Sequence, residues 1–291
     1  MSNKKIAVLA IFTAALLGSA AAGVSKKGLE EMPPFSLSFF RLLIASILVL
    51  PLFIKFKDHK FKQMKKLSLI SLFATGNILF FILGVYFSTA NIGSIIYAAV
   101  PLLAAVILYI FFKETISAKK QFGIFIGFLG ATFITLLPVL ERSNPFSGNI
   151  LGNIFLVLAI TCWGFYSVFT KKLQDQYSPF IITCNFIFIS TLVLFPFFVW
   201  DTVNNFGWWN NLGFWGIFSV FYLSVIVTIL NYTIIQYAIK YGGPVIAGTI
   251  FYVMPILGFG INFLLLGELL TPAFIFGSIL ALMGTYLVVR K

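Results

Sequence analysis

Acidic side chains are scarce in this sequence: Asp and Glu together number 8 among 291 residues, and histidine occurs once. With so few groups able to ligate or to exchange protons, a metal cluster, a carboxylate pair or a nucleophile with its base has almost nothing to be built from. That composition excludes most enzyme classes, and no cofactor or metal is implied. Cysteine occurs twice, and Cys162 and Cys184 both fall within apolar runs, so they read as small buried hydrophobes outside any disulfide framework. His59 lies in a lysine-rich loop and reads as solvated. No Gly-x-x-x-x-Gly-Lys-Ser/Thr run occurs, which removes nucleotide hydrolysis of that kind from this chain. Charge is thin altogether, with 10% charged and 60% hydrophobic residues. Such a chain has too little polar surface to face water and belongs in a lipid bilayer.

What is present is a series of apolar runs with basic clusters between them. Ten spans can be drawn, at about 5–24, 35–54, 67–88, 92–112, 118–138, 149–170, 179–199, 213–237, 244–266 and 271–289. Each suffices to cross roughly 30 Å of hydrocarbon at 1.5 Å per residue. The net charge of +12 is confined to the short clusters, a pattern of topology signals and not of a nucleic-acid surface. With the N-terminus cytoplasmic, Lys4, Lys5, Lys55, Lys57, Lys60, Lys62, Lys65, Lys66, Lys113, Lys119, Lys120, Lys171, Lys172, Lys240, Arg290 and Lys291 all fall inside, 16 of the 20 basic residues. Lys26, Lys27 and Arg142 fall outside, and Arg41 lies within a span. The expectation is a multi-pass protein of the cell membrane with both termini cytoplasmic. Lys4-Lys5, an apolar run and Ser19-Ala20-Ala21-Ala22-Gly23 also fit a cleavable signal peptide. The segment has a counterpart later in the chain, so a retained helix is the reading preferred.

That counterpart belongs to a repeat. The run from Val100-Pro101-Leu102 to Phe112-Lys113-Glu114 returns 154 residues later as Met254-Pro255-Ile256 to Leu266-Gly267-Glu268. The same offset carries Asn77 to Asn231, Gly123 to Gly277, Gly130 to Gly284 and the helix-capping candidate Ser117 to Thr271. Five spans per copy is an odd number, so the second copy enters the bilayer from the opposite side. The fold expected is all-α, with ten transmembrane helices as two inverted five-helix repeats at 5–138 and 149–289. Paired inverted repeats are a recurring plan of secondary transporters, with the solute site between the halves near the midplane.

These residues resemble the EamA family of the drug/metabolite transporter superfamily. The resemblance is carried by the five-plus-five spans, by Pro101 to Glu114 and Pro255 to Glu268, by Leu17-Gly18-Ser19 and Cys162-Trp163-Gly164, and by Phe39-Phe40-Arg41. It implies a permease exporting or exchanging small metabolites such as amino acids, embedded in lipid. It also leaves room for a lipid-linked-sugar translocator or an accessory membrane subunit of the same fold.

Nine residues stand out as candidates to meet a solute. Arg41 is the one basic residue well within a span, where it either snorkels to the outer surface or ties down neighbouring carbonyls, the reading preferred, or holds a carboxylate or phosphate. Asn77 and Asn231 share one register position, lining a site or bonding helix to helix. Pro101 and Pro255 each free the carbonyl four residues earlier, at Tyr97 and Phe251. Tyr97, Pro101, Ala104 and Leu108 form one stripe at helical spacing, and Phe251, Pro255, Gly258 and Asn262 the other. Of the aromatic residues Trp163, Tyr166, Tyr222, Tyr232 and Tyr252, Trp163 alone is taken as a cavity residue, since it sits in the repeat motif. Glu114 and Glu268 are expected near the first turn of the following helix, not in a midplane proton relay. Gly123, Gly127 and Gly130, with Gly277, Ala281 and Gly284, make faces for close packing within the monomer or in a homodimer.

Overall fold

The computed structural model describes residues 3–55, 61–115, 117–141 and 144–289. Lys57, His59, Lys60, Arg142, Ser143, Arg290 and Lys291 lie outside them. Among the described residues nine helices are long and apolar enough to cross a membrane, and a tenth, Ala118–Thr135, spends its first turn on Lys119, Lys120 and Gln121. We number them α1 (Lys5–Gly28), α2 (Pro34–Lys55), α3 (Phe61–Phe87), α4 (Ala90–Phe112), α5 (Ala118–Thr135), α6 (Ile150–Lys171), α7 (Pro179–Asn204), α8 (Phe214–Gly242), α9 (Pro244–Leu266) and α10 (Pro272–Val289). No strand occurs among the described residues.

The packing obeys the repeat. α5 lies along α10, α2 along α7, and α4 crosses α9; each pair maps onto itself when helix n is exchanged with helix n+5. The contact of α3 with α6 maps onto that of α8 with α1, and α4 with α6 maps onto α9 with α1. The architecture is therefore two five-helix units that clasp each other.

Several sequence details settle at once. Gly123, Gly127 and Gly130 face Gly277, Ala281 and Gly284 within the monomer, backbone against backbone. A Cβ on Gly284 would fall 2.2 Å from the Gly127 nitrogen. Thr271 caps α10 by accepting from the Phe274 amide at 3.1 Å, whereas the Ser117 side chain makes no such bond to α5. Lys26 Nζ donates to the carbonyls of Val85, Tyr86 and Ser88 at the end of α3, and Lys171 Nζ donates to Lys240 O, the residue matching Tyr86. A cation on the last carbonyls suits the helix dipole at both places.

α4 and α9 end alike, on a left-handed residue: Gly267 at φ 67° and Lys113 at φ 57°. Glycine bears that conformation freely, and a residue with a Cβ gives up on the order of 1 kcal/mol. Lys113→Gly is expected to raise stability by about 0.5–1 kcal/mol, read as a higher thermal midpoint in detergent; an unchanged or lower midpoint would refute the strain argument.

Candidate functional site

Four of the helices, α1, α4, α8 and α9, are irregular within their length. α1 breaks at Ser19–Ala20, α4 tightens to a 3-10 turn at Tyr97–Ala99, α9 breaks at Gly248–Thr249, and α8 widens into a π stretch over Tyr222–Asn231. Backbone groups freed inside a bilayer must find partners within the protein. At the α1 break, Ser19 Oγ donates to Leu16 O and Tyr222 OH to Leu17 O, at 2.9 and 2.6 Å. Such interruptions are tolerated where they border a cavity.

A cavity of about 70 Å³ is what they border. Its walls include Arg41, Asn77, Tyr97, Trp163, Asn231 and Phe251, six of the nine residues singled out from the sequence, together with Ser94 and Tyr232. At roughly 10–15 Å³ per water, the space holds a handful of waters. An amino-acid-sized solute would require the walls to separate. Ring contacts frame it: Trp163 stacks on Tyr232 at 5.4 Å, and Tyr97 meets Phe251 at 5.2 Å and Phe81 at 5.6 Å. Asn77 Nδ2 donates to Tyr97 OH at 2.6 Å and to Ala159 O at 2.9 Å. Asn77 and Asn231 both face the cavity, and Asn231 Oδ1 is buried there without a partner.

Arg41 is the charge of the site. It is 1% exposed, so the snorkelling alternative does not hold: the side chain runs inward, not to the surface. Its Nε and Nη2 donate to Thr228 Oγ1 at 3.2 and 3.0 Å, and the guanidinium lies against Tyr232. Among the described residues no carboxylate comes within ion-pair distance of it. Thr228, Asn231, Tyr232 and Ile235 share a face at three- and four-residue spacing. That pattern could have drawn attention to Thr228 and Tyr232 in the sequence, but 11 tyrosines and 36 phenylalanines conceal it.

The other three candidates stand elsewhere. Pro101 packs on Gly248, and Ala104 and Leu108 join Ile107 and Val168 in a separate apolar cluster. Pro255 is buried inside α9 without lining the cavity. Asn262, farther along α9, donates Nδ2 to Asn91 Oδ1 at 2.9 Å.

Carboxylates do their work at one end of the bundle, and across the halves. Glu31 Oε2 accepts from the Gly213 and Gly216 amides at the start of α8, at 2.9 and 2.6 Å. Asp201 Oδ2 accepts from the Ser36 amide at the start of α2, at 2.9 Å. Glu268 accepts from the Ala90 and Asn91 amides at the start of α4, at 2.7 and 2.8 Å. Its partner is thus α4 of the other half, and not the following helix α10 as the sequence suggested. Burial pushes the Glu268 carboxyl above the usual carboxylate range, while the two amides and the Lys26 ammonium pull the other way. Among the described residues no three His, Cys, Asp or Glu side chains gather as a metal site would need.

Fold and cavity together define a multi-pass membrane transporter of two paired helical units. The profile of the EamA-like transporter family matches residues 5–136 and 150–290, and the chain belongs to that family. It is 28% identical over 289 residues to an uncharacterized transporter of Archaeoglobus fulgidus, covering 99% of each chain. It is likewise 28% identical to the uncharacterized transporter YdfC of Bacillus subtilis, covering 95% of this chain and 89% of that one. A WAT1-related protein of Arabidopsis thaliana is 25% identical, with 86% and 72% covered. One solved crystal structure superposes with a TM-score of 0.65 at 18% identity, covering 97% and 96%, a likeness of fold.

Proposed function

We propose that this protein exports or exchanges small metabolites, such as amino acids, by alternating access, with the solute bound between units 5–138 and 149–289. The observation that carries the reading is Arg41: a guanidinium buried in the cavity wall with no carboxylate partner among the described residues. Taking a charge out of water costs several kcal/mol unless an opposite charge meets it. A carboxylate or phosphate on the solute would supply that charge, through the paired N–H groups that guanidinium offers. Asn77 and Asn231 would add polar contacts, and Tyr97, Trp163 and Phe251 apolar ones; Pro101, Pro255 and Asn262 would act through the helices they shape. The basic-residue asymmetry supports an orientation with both termini in the cytoplasm, and the cell membrane is the location this reading takes.

The test is counterflow by purified protein in liposomes across a panel of amino acids, other organic acids and neutral metabolites, with and without a pH gradient. Accumulation of a preloaded anionic or zwitterionic solute is expected; counterflow by none of them overturns the reading. An apolar crevice of about 300 Å³ between α2 and α8, lined by Met32, Phe40, Ile44, Trp208, Leu212 and Val220, favours the alternative of a lipid-linked-sugar translocator. Including such a lipid in the panel separates the two.

A further inference from the structure

Between the cavity and the end that carries Glu268 runs a buried polar column. Gly258 of α9 abuts Ser19 O and Ser94 Oγ at the cavity wall. One helical turn beyond, Asn262 bonds Asn91, and Gly23 of α1 leaves the room its amide occupies. Both asparagines are buried, yet Asn262 Oδ1 and Asn91 Nδ2 find no partner. At the mouth, Glu268 holds the first two amides of α4, and Thr89 Oγ1 accepts from the third, that of Ile92. Each orphaned buried polar atom costs about 1–3 kcal/mol, a cost that vanishes when water or solute reaches it.

The repeat supplies an internal comparison. At the 154-residue offset, Asn91, Asn262 and Glu268 correspond to Val245, Leu108 and Glu114. Leu108 and Val245 pack in one apolar cluster, and Glu114 is exposed, its carboxylate making no hydrogen bond or ion pair among the described residues. The start of α9 has no side-chain cap. The Asn91–Asn262 pair therefore has no counterpart in register at the other end, where a different buried amide pair, Gln174–Gln236, stands, and the packing of the repeat alone does not demand it.

We infer that the Asn91–Asn262 pair and the Glu268 latch form the gate between the cavity and the Glu268 face, opening as α4 and α9 part there. The inference rests on the alternating-access reading. It places solute passage beside α1, α4 and α9, and gives the unpartnered amides a use in the open state.

The experiment reads labelling of a Ser94→Cys reporter in a Cys162→Ala, Cys184→Ala background, using an impermeant thiol reagent on membrane vesicles of either orientation. It needs no solute, so its result is independent of the counterflow panel. Glu268→Gln is expected to speed labelling from the Glu268 face about tenfold, leaving the opposite face no faster. Asn91→Leu with Asn262→Leu, which copies the apolar pair at the other end, is expected to slow labelling from the Glu268 face by about the same factor. Glu114→Gln is expected to change neither face. Equal changes on both faces, no change in either gate variant, or an effect of Glu114→Gln as large as that of Glu268→Gln overturns the gate. A reporter that labels from one face only, before any gate substitution, rejects alternating access and the gate with it.

Discussion

Replacing Arg41 with methionine is expected to abolish transport of an anionic solute while leaving the thermal midpoint in detergent unchanged or higher. The two halves of that expectation come from one fact. A buried guanidinium in the cavity wall is a cost to the resting protein, held by Thr228 and Tyr232 but neutralised by no carboxylate among the described residues. Methionine fills similar space without the charge, and substitutions of buried ionic groups by apolar ones of like volume are often neutral or stabilising. A desolvated ionic contact to solute, by contrast, is lost at about 2–5 kcal/mol, which is on the order of a hundredfold or more in apparent affinity. Arg41→Lys should fall between, because it keeps the charge and loses the planar fork. The opposite pattern, a collapsed midpoint with transport preserved in whatever protein survives, would make Arg41 a structural residue. Carriage of the same anion at full rate by Arg41→Met would remove it from the site.

The second large effect concerns Gly284. Its would-be Cβ lies 2.2 Å from the Gly127 nitrogen, 2.4 Å from Gly127 Cα and 2.5 Å from the Gly123 oxygen, all backbone atoms that no rotamer change can move. Gly284→Ala is expected to destabilise by about 1–3 kcal/mol, and Gly284→Leu to prevent accumulation of folded protein. Gly260 provides the control within α9: nothing lies within 4 Å of its would-be Cβ. There Gly→Ala should stabilise by about 0.5–1 kcal/mol, through helix propensity alone. Thermal midpoints and detergent-extracted yield decide both, and similar outcomes at the two glycines would refute the close-approach argument.

Much of this architecture is legible in the residues themselves, because the 154-residue offset aligns Pro, Glu, Gly and Asn at once and an odd number of spans forces inversion. The same offset led to Asn77 and Asn231, and a lone charge in an apolar run led to Arg41. Spacing failed where helices are irregular. The rule that residues four apart share a face assumes an unbroken helix, and the tight turn at Tyr97–Ala99 rotates Ala104 and Leu108 off the cavity. In α9 the stripe stays regular but climbs: Asn262 lies 11 residues beyond Phe251, about 16 Å along the axis at 1.5 Å per residue. It arrives at Asn91 and not at the cavity. Glu268 was the hardest to place, since its partners lie 178 and 177 residues away. Periodicity treats it and Glu114 as equals, and the structure does not.

The glycine seam between α5 and α10 has one more consequence. It joins a helix of the first unit to a helix of the second with their backbones touching, too close for either to slide or tilt without collision. Like the spine of a book, it keeps the two covers bound while the pages fan at the far edge. On the alternating-access reading, relative motion of the units would hinge about that line.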